Sequence, residues 1–142
     1  MANDDDRRAV PLSIPPGRKE LVARIEQLPL SADAKAILRD IADVSVSVGE
    51  RLVAAGREVI AFALELARQF PQTTFGLIVG LVLASLIASI PLLGSLLGPL
   101  FGPLMIALGI GKGAIEDMET NAMRDRVDQF ERAMSMVISS RG

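Results

Sequence analysis

Few residues of this sequence belong to the types that carry out enzymatic chemistry. Its 142 residues include no Cys, His, Trp or Tyr, which removes the usual nucleophile–base pairs, zinc sites, haem ligands and disulfides. Lys and Arg number 15 against 17 Asp and Glu, a net charge of −2, and this near balance disfavours a dedicated nucleic-acid-binding protein. We therefore expect a non-enzymatic protein with no catalytic or metal site, no cofactor and no small-molecule substrate.

Two short segments have some features of a binding site. Asp4, Asp5 and Asp6 are consecutive, but the flexible tail expected over residues 1–17 offers no rigid set of ligands for a cation. Residues 109–113 (GIGKG) combine glycine with lysine, yet they lack the spacing of a phosphate-binding loop and the Ser or Thr that follows its lysine. Neither segment supports a site for a metal or a nucleotide.

The strongest pattern is a long uncharged stretch between two charged regions. Residues 69–111 contain no Asp, Glu, Lys or Arg, and residues 75–111 are almost entirely aliphatic or small. Uncharged apolar runs of about 18 residues or more are typical of membrane helices, whereas helices at the surface of soluble proteins keep a polar face. The sequence therefore predicts an all-α membrane protein with a hydrophobic hairpin over residues 71–112. The alternative is a hairpin that is buried inside a soluble helical bundle.

The length of this stretch and its prolines predict that it folds back on itself. A single helix over residues 75–111 would be about 55 Å long, against a hydrocarbon core of about 30 Å. Pro91, Pro99 and Pro103 interrupt helical hydrogen bonding and are the predicted hairpin turn. Thr74 is the expected N-cap of the first arm. Two full crossings, which need a kinked second helix that begins just after Pro91, and a re-entrant loop in one leaflet both fit the pattern.

Small residues recur every four positions on both arms of the hairpin. They are Gly76, Gly80, Ala84 and Ala88 on the first arm, and Gly94, Gly98 and Gly102 on the second. In lipid such faces let helix backbones approach closely, so they predict packing between the arms or between subunits, as in a glycine zipper. Ser85 and Ser89 are candidate pore-lining residues, although hydroxyl groups in apolar helices more often bond to their own backbone.

Charged amphipathic helices are predicted before the hairpin, over residues 18–70. The first covers residues 19–27, and the second begins at the N-cap Ser31 and runs to Phe70 with a nearly heptad apolar stripe, as in a coiled coil. Residues 43–49 (DVSVSVG) alternate between apolar and polar types, so a break or a short strand there stays open. The helical signals on either side favour a continuous helix.

The segment after the hairpin, residues 113–142, predicts one more amphipathic helix, from Ala114 to about Ser139. If both ends of the hairpin emerge on one side of the membrane, this helix can run antiparallel to the helix before the hairpin and bury both apolar stripes. The hairpin turn is uncharged while both flanks carry Lys and Arg, and the positive-inside rule then places both termini in the cytoplasm.

These features lead to three hypotheses about function. The first is a non-enzymatic integral membrane scaffold or accessory subunit that self-associates, or docks to a larger complex, through helical packing. The second is a homo-oligomeric pore or permeabilising protein, although the hairpin has no charged residue to set ion selectivity. The third is a soluble protein that inserts its hairpin on a trigger. All three take the lipid bilayer as a partner, and the architecture alone does not choose among them.

Overall fold

The computed structural model describes residues 17–71, 73–110 and 121–139, and these form six helices and one short β-hairpin. The helices are α1 (Arg18–Glu26), α2 (Ala32–Ala42), α3 (Ala55–Gln69), α4 (Phe75–Ser89), α5 (Pro91–Leu108) and α6 (Asn121–Ser139), and the strands are β1 (Val46–Val48) and β2 (Arg51–Val53). This part of the chain is mostly helical with little sheet, as expected. The predicted tail before Gly17 and residues 113–120 of the predicted C-terminal helix lie outside the described residues.

The first helix lies close to its predicted position, and the second begins where it was predicted to begin. On α1, Leu21 and Ile25 are one turn apart and both are buried. Ser31 caps α2, because its Oγ accepts a hydrogen bond from the backbone N–H of Ala34 at 3.1 Å. The guanidinium of Arg18 forms an ion pair with the carboxylate of Asp43, which ties the start of α1 to the end of α2.

The prediction of one continuous helix from Ser31 to Phe70 is wrong, because a β-hairpin separates α2 from α3. Val46 and Val48 are buried while the residue between them is exposed, and Val46 pairs with Val53 across the two antiparallel strands. Gly49 has a φ of 62° in the two-residue turn, a conformation that glycine adopts without strain. Leu52, on the second strand, is 72% exposed.

The apolar stretch folds into the predicted hairpin, but its turn is short. Ile90 is extended (φ −121°, ψ 101°), as the residue before a proline prefers, and Pro91 is the first residue of α5. At the other end of the hairpin Gly76, near the start of α4, lies beside the Leu108 side chain at the end of α5. The two helices are therefore antiparallel neighbours, joined by Ile90 alone.

Two of the three predicted turn residues do not lie in the turn. Pro99 and Pro103 are inside α5 and their side chains are exposed. A proline disfavours the helical conformation of the residue before it through a clash with that residue's Cβ, and here both preceding residues, Gly98 and Gly102, have no Cβ. The helix ends instead at Gly109, which has a φ of 71° and closes it with a left-handed cap.

The hairpin packs against the charged helices. The second arm, α5, lies against α2, and the first arm, α4, lies against α3 and α6 as well as against α5. The described residues share one core, which is continuous from α1 through the β-hairpin to α6. The apolar first arm is thus inside this core, with amphipathic helices around it.

Candidate functional site

The first arm of the hairpin, α4, is enclosed by protein on all sides over much of its length. Six consecutive residues, from Ile78 to Leu83, are buried. Because an α-helix turns once every 3.6 residues or so, six consecutive buried residues leave no side of that segment exposed. A helix that is apolar all round is suited to lipid or to the centre of a protein. In this structure α4 occupies the second of these environments.

The second arm, α5, lies at the edge of the protein and exposes one apolar face. We define the α5 outer face as its exposed residues at spacings of four, three, four and three: Leu92, Leu96, Pro99, Pro103 and Ile106. Leu92, Leu96 and Ile106 are 44%, 39% and 83% exposed. The whole of α5 carries no charged residue, so the α5 outer face is a continuous apolar surface about four turns long.

Length separates the two arms as membrane elements. With 18 residues, α5 is about 27 Å long, close to the thickness of the hydrocarbon core. It is the one described helix that is both long and apolar enough to cross a membrane, by length and composition only. The 15 residues of α4 reach about 22 Å, so α4 alone is short of a full crossing.

The small residues of the first arm lie partly inside the fold. Gly76 and Gly80 are buried, Ala84 is half-buried and Ala88 is exposed. A Cβ at Gly76 would lie 3.2 Å from a methyl group of Leu108. The N-terminal part of this face, at Gly76, therefore packs against the other arm of the hairpin.

The small residues of the second arm are mostly open. A Cβ at Gly94 would lie 3.0 Å from the carbonyl oxygen of Ile87 on α4, so the two arms are in close contact there. A Cβ at Gly98 or Gly102 would meet no atom within 4 Å beyond its chain neighbours and the backbone of α5 itself. The two rows of small residues do not pack face to face along their length, and a role for them in packing between subunits stays a prediction.

The two candidate pore-lining serines have different surroundings. The Oγ of Ser85 donates a hydrogen bond to Oε1 of Glu131 on α6 at 2.5 Å, and this contact is partly buried. Ser89, one turn later, is exposed at the end of α4. The Ser85 hydroxyl thus joins the hairpin to a charged helix of the same chain, and a pore-lining role for either serine stays a prediction.

The C-terminal helix α6 packs antiparallel against α3, as the two apolar stripes predict. The rings of Phe62 on α3 and Phe130 on α6 are stacked, with centroids 4.2 Å apart. Towards the end of α3 the Gln69 side chain accepts a hydrogen bond from Arg126, which lies near the start of α6. The sequence pattern indicated the apolar contact, but it contained no signal for the pairing of Glu131 with Ser85.

Polar side chains do not converge on a catalytic arrangement in the part of the chain that the structure describes. None of these residues buries a polar or charged side chain fully, and none belongs to a group of three acidic residues that could hold a metal. One carboxyl is notable: partial burial raises the pKa of Glu58 to about 7, against the opposing charge of Arg57. Glu58 lies in the first turn of α3. The apolar α5 outer face is therefore the candidate functional surface.

No protein family, curated protein or solved structure matches this chain. The role of the α5 outer face and of the enclosed α4 must then be inferred from their own length, burial and charge. Those three properties determine whether each helix suits an apolar environment, such as lipid or the centre of a protein.

Proposed function

We propose that this protein is a non-enzymatic, membrane-associating protein and that its α4–α5 hairpin is the part that meets the bilayer. The observation that carries this proposal is the α5 outer face. Exposed apolar side chains cost about 25 cal/mol for each Å² left in water, and continuous apolar patches on soluble proteins usually mark a binding surface. An uncharged surface of membrane-spanning length suits hydrocarbon better than a protein partner, which would be expected to offer polar contacts at the rim of an interface.

The enclosed position of α4 supports an inserting protein over a scaffold that spans the membrane permanently. A hairpin that crossed the bilayer twice would expose both arms to lipid. Here α4 is covered by α3 and α6, and these helices carry many charged residues on their outer sides. Because a charged side chain at the centre of a bilayer costs about 2.5 kcal/mol or more, α3 and α6 cannot follow α4 into hydrocarbon.

In this proposal the described fold is the form that first binds the membrane. The α5 outer face lies on the lipid while α4 stays covered, and full insertion then requires the hairpin to leave α2, α3 and α6. Both flanks of an inserted hairpin stay on one side, and their Lys and Arg residues favour the cytoplasmic side. Self-association of inserted hairpins through the small residues would be a later step.

The experiment that tests the proposal compares two exposed apolar residues in a vesicle flotation assay. Ile106 is 83% exposed on α5 and Leu52 is 72% exposed on β2, away from the hairpin. We expect Ile106→Glu to lower the fraction bound to lipid vesicles about tenfold or more, because a carboxylate on the lipid-facing side costs at least about 1.4 kcal/mol. Leu52→Glu should bind as the unchanged protein does.

Three results would count against the proposal. If the unchanged protein does not float with vesicles, or if Leu52→Glu and Ile106→Glu lose binding equally, the α5 outer face does not bind lipid. Light scattering without lipid tests whether this face binds a second copy of the chain. A dimer that Ile106→Glu dissociates would show that the α5 outer face binds a second copy of the chain instead.

A further inference from the structure

We propose that the hydrogen bond between Ser85 and Glu131 is a latch that holds the hairpin against the charged helices and sets how readily the hairpin inserts. This inference rests on the proposed function, and it concerns the step after the α5 outer face has bound lipid. Ser85 lies on α4 and Glu131 on α6, 46 residues apart in sequence. The latch therefore joins the element that would enter the membrane to one that must stay outside.

The hairpin is built to move as one unit. Its two arms are joined by Ile90 alone and are in close contact, with Gly76 against Leu108 at the open end and Gly94 against Ile87 near the turn. Movement of α4 into lipid therefore takes α5 with it. Both arms lack charged residues, so no charged group of the hairpin has to enter hydrocarbon.

The charged helices have contacts of their own that do not depend on α4. The Phe62–Phe130 stack and the hydrogen bond from Arg126 to Gln69 hold α6 on α3. The backbone N–H of Gly56 donates to the carbonyl oxygen of Val44 at 2.9 Å, which holds the start of α3 on the segment that follows α2. The hairpin can thus separate from a body made of α2, α3 and α6 that keeps its internal contacts.

Most contacts between the hairpin and the body made of α2, α3 and α6 are apolar and non-directional, and contacts with lipid can replace them. The Ser85–Glu131 bond differs, because a hydroxyl that donates to a carboxylate gives a stronger and more directional contact than a neutral pair. Lipid tails offer no acceptor to replace the Glu131 carboxylate. Breaking this bond is then a cost of insertion that is absent from adhesion through the α5 outer face.

The first test compares Ser85→Ala with Ser89→Ala, the same substitution one turn later at an exposed hydroxyl. Adhesion is measured by vesicle flotation, and insertion by resistance of the bound protein to alkaline carbonate extraction. We expect Ser85→Ala to insert about three- to tenfold faster than the unchanged protein, with equal flotation, because a charge-assisted hydrogen bond has been removed. Ser89→Ala should match the unchanged protein in both assays. Equal insertion rates for the two variants would overturn the latch.

The second test closes the latch covalently. The chain has no native cysteine, so Ser85→Cys with Glu131→Cys can be bridged by a short reagent that reacts with two thiols. We expect the bridged protein to float with vesicles yet remain extractable by carbonate, and the reagent-free protein to become resistant. Resistance of the bridged protein would overturn the latch while leaving the proposed function intact. If the unchanged protein does not float with vesicles, the proposed function itself is overturned.

Discussion

Gly56 lies so close to Ile41 that a Cβ at position 56 would be 1.7 Å from the carbonyl oxygen of Ile41. The neighbouring atom belongs to the backbone, so it cannot move aside as the end of a flexible side chain would. This contact sets how closely the start of α3 approaches the end of α2, the two helices that the β-hairpin connects. Because α4 packs on α3, the position of the apolar hairpin depends on this glycine.

Gly56→Ala should destabilise the protein strongly. The added methyl group forces α2 and α3 apart and strains the hydrogen bond from Gly56 to Val44, so we expect the free energy of unfolding to fall by about 2–4 kcal/mol. Urea unfolding followed by circular dichroism measures this change. Gly17→Ala is the control, since a Cβ there would meet no atom within 4 Å beyond its chain neighbours and its φ of −61° suits any residue, so the expected change is below about 1 kcal/mol. Equal losses in both variants would show that the close contact does not matter.

Part of the fold could be predicted because local signals and packing agree. Ser31 and Thr74 are N-caps in the sequence and in the structure, where each accepts a hydrogen bond from the backbone N–H three residues later. The dipeptide Ile90-Pro91 marks the start of α5 because proline suits the first position of a helix. At these positions the chemistry of a single residue decides the local conformation.

The sequence pattern favoured a helix over a strand at residues 43–49 because the valines of this segment fit two periods. Val44 and Val48 are four residues apart, as on a helical stripe, and they also alternate with polar residues, as in a strand. Burial of Val46 and Val48 against the helices decides in favour of the strand. That contact is long-range, and no local pattern contains it. The close approach at Gly56 is equally invisible, because a glycine in a helix looks the same in sequence whatever lies beside it.

Ser31→Ala should cost about 1 kcal/mol of stability, because it removes the acceptor for one otherwise unpaired N–H at the start of α2. The bond that is lost joins the Ser31 Oγ to the Ala34 backbone N–H at 3.1 Å. Thermal unfolding at neutral pH measures the change. Ser31→Asp is the matched control, since aspartate is an equally good cap and its charge suits the helix dipole. If Ser31→Asp is as unstable as Ser31→Ala, the cap does not contribute in this way.

Glu58→Gln should change how stability depends on pH. Burial raises the pKa of Glu58 in the folded protein from 4.5 to about 7, so the fold binds this proton more tightly than the unfolded chain does. The resulting stabilisation is complete below pH 4.5 or so and is lost as the pH rises through about 7. The side chain is half-exposed, so we expect Glu58→Gln to be more stable than the unchanged protein by about 1 kcal/mol at pH 8.

Urea unfolding of both proteins between pH 4 and pH 8 measures this difference. The two stability curves should approach each other at the acidic end, where Glu58 is protonated in the folded and the unfolded state, and separate above neutral pH. Curves that stay parallel over the whole range would contradict the raised pKa.

The environment of α4 could not be read from composition, because lipid and the centre of a protein select the same side chains. The uncharged run predicts an apolar surrounding for both arms of the hairpin, and it does not say which medium supplies it. The structure gives different answers for the two arms: protein around α4, and an open outer face on α5. The difference arises from α3 and α6, whose apolar stripes cover the first arm.

This difference between the arms leads to a direct prediction for two leucines. Leu83 on α4 is fully buried by protein, whereas Leu96 on the α5 outer face is 39% exposed. Leu83→Ala leaves a cavity and should lower the free energy of unfolding in aqueous buffer by about 2–5 kcal/mol, while Leu96→Ala should change it by less than about 1 kcal/mol. Urea unfolding without detergent or lipid makes the comparison. If Leu83→Ala costs no more than Leu96→Ala, α4 is not packed inside the protein in water, and the hairpin is not covered before it reaches a membrane.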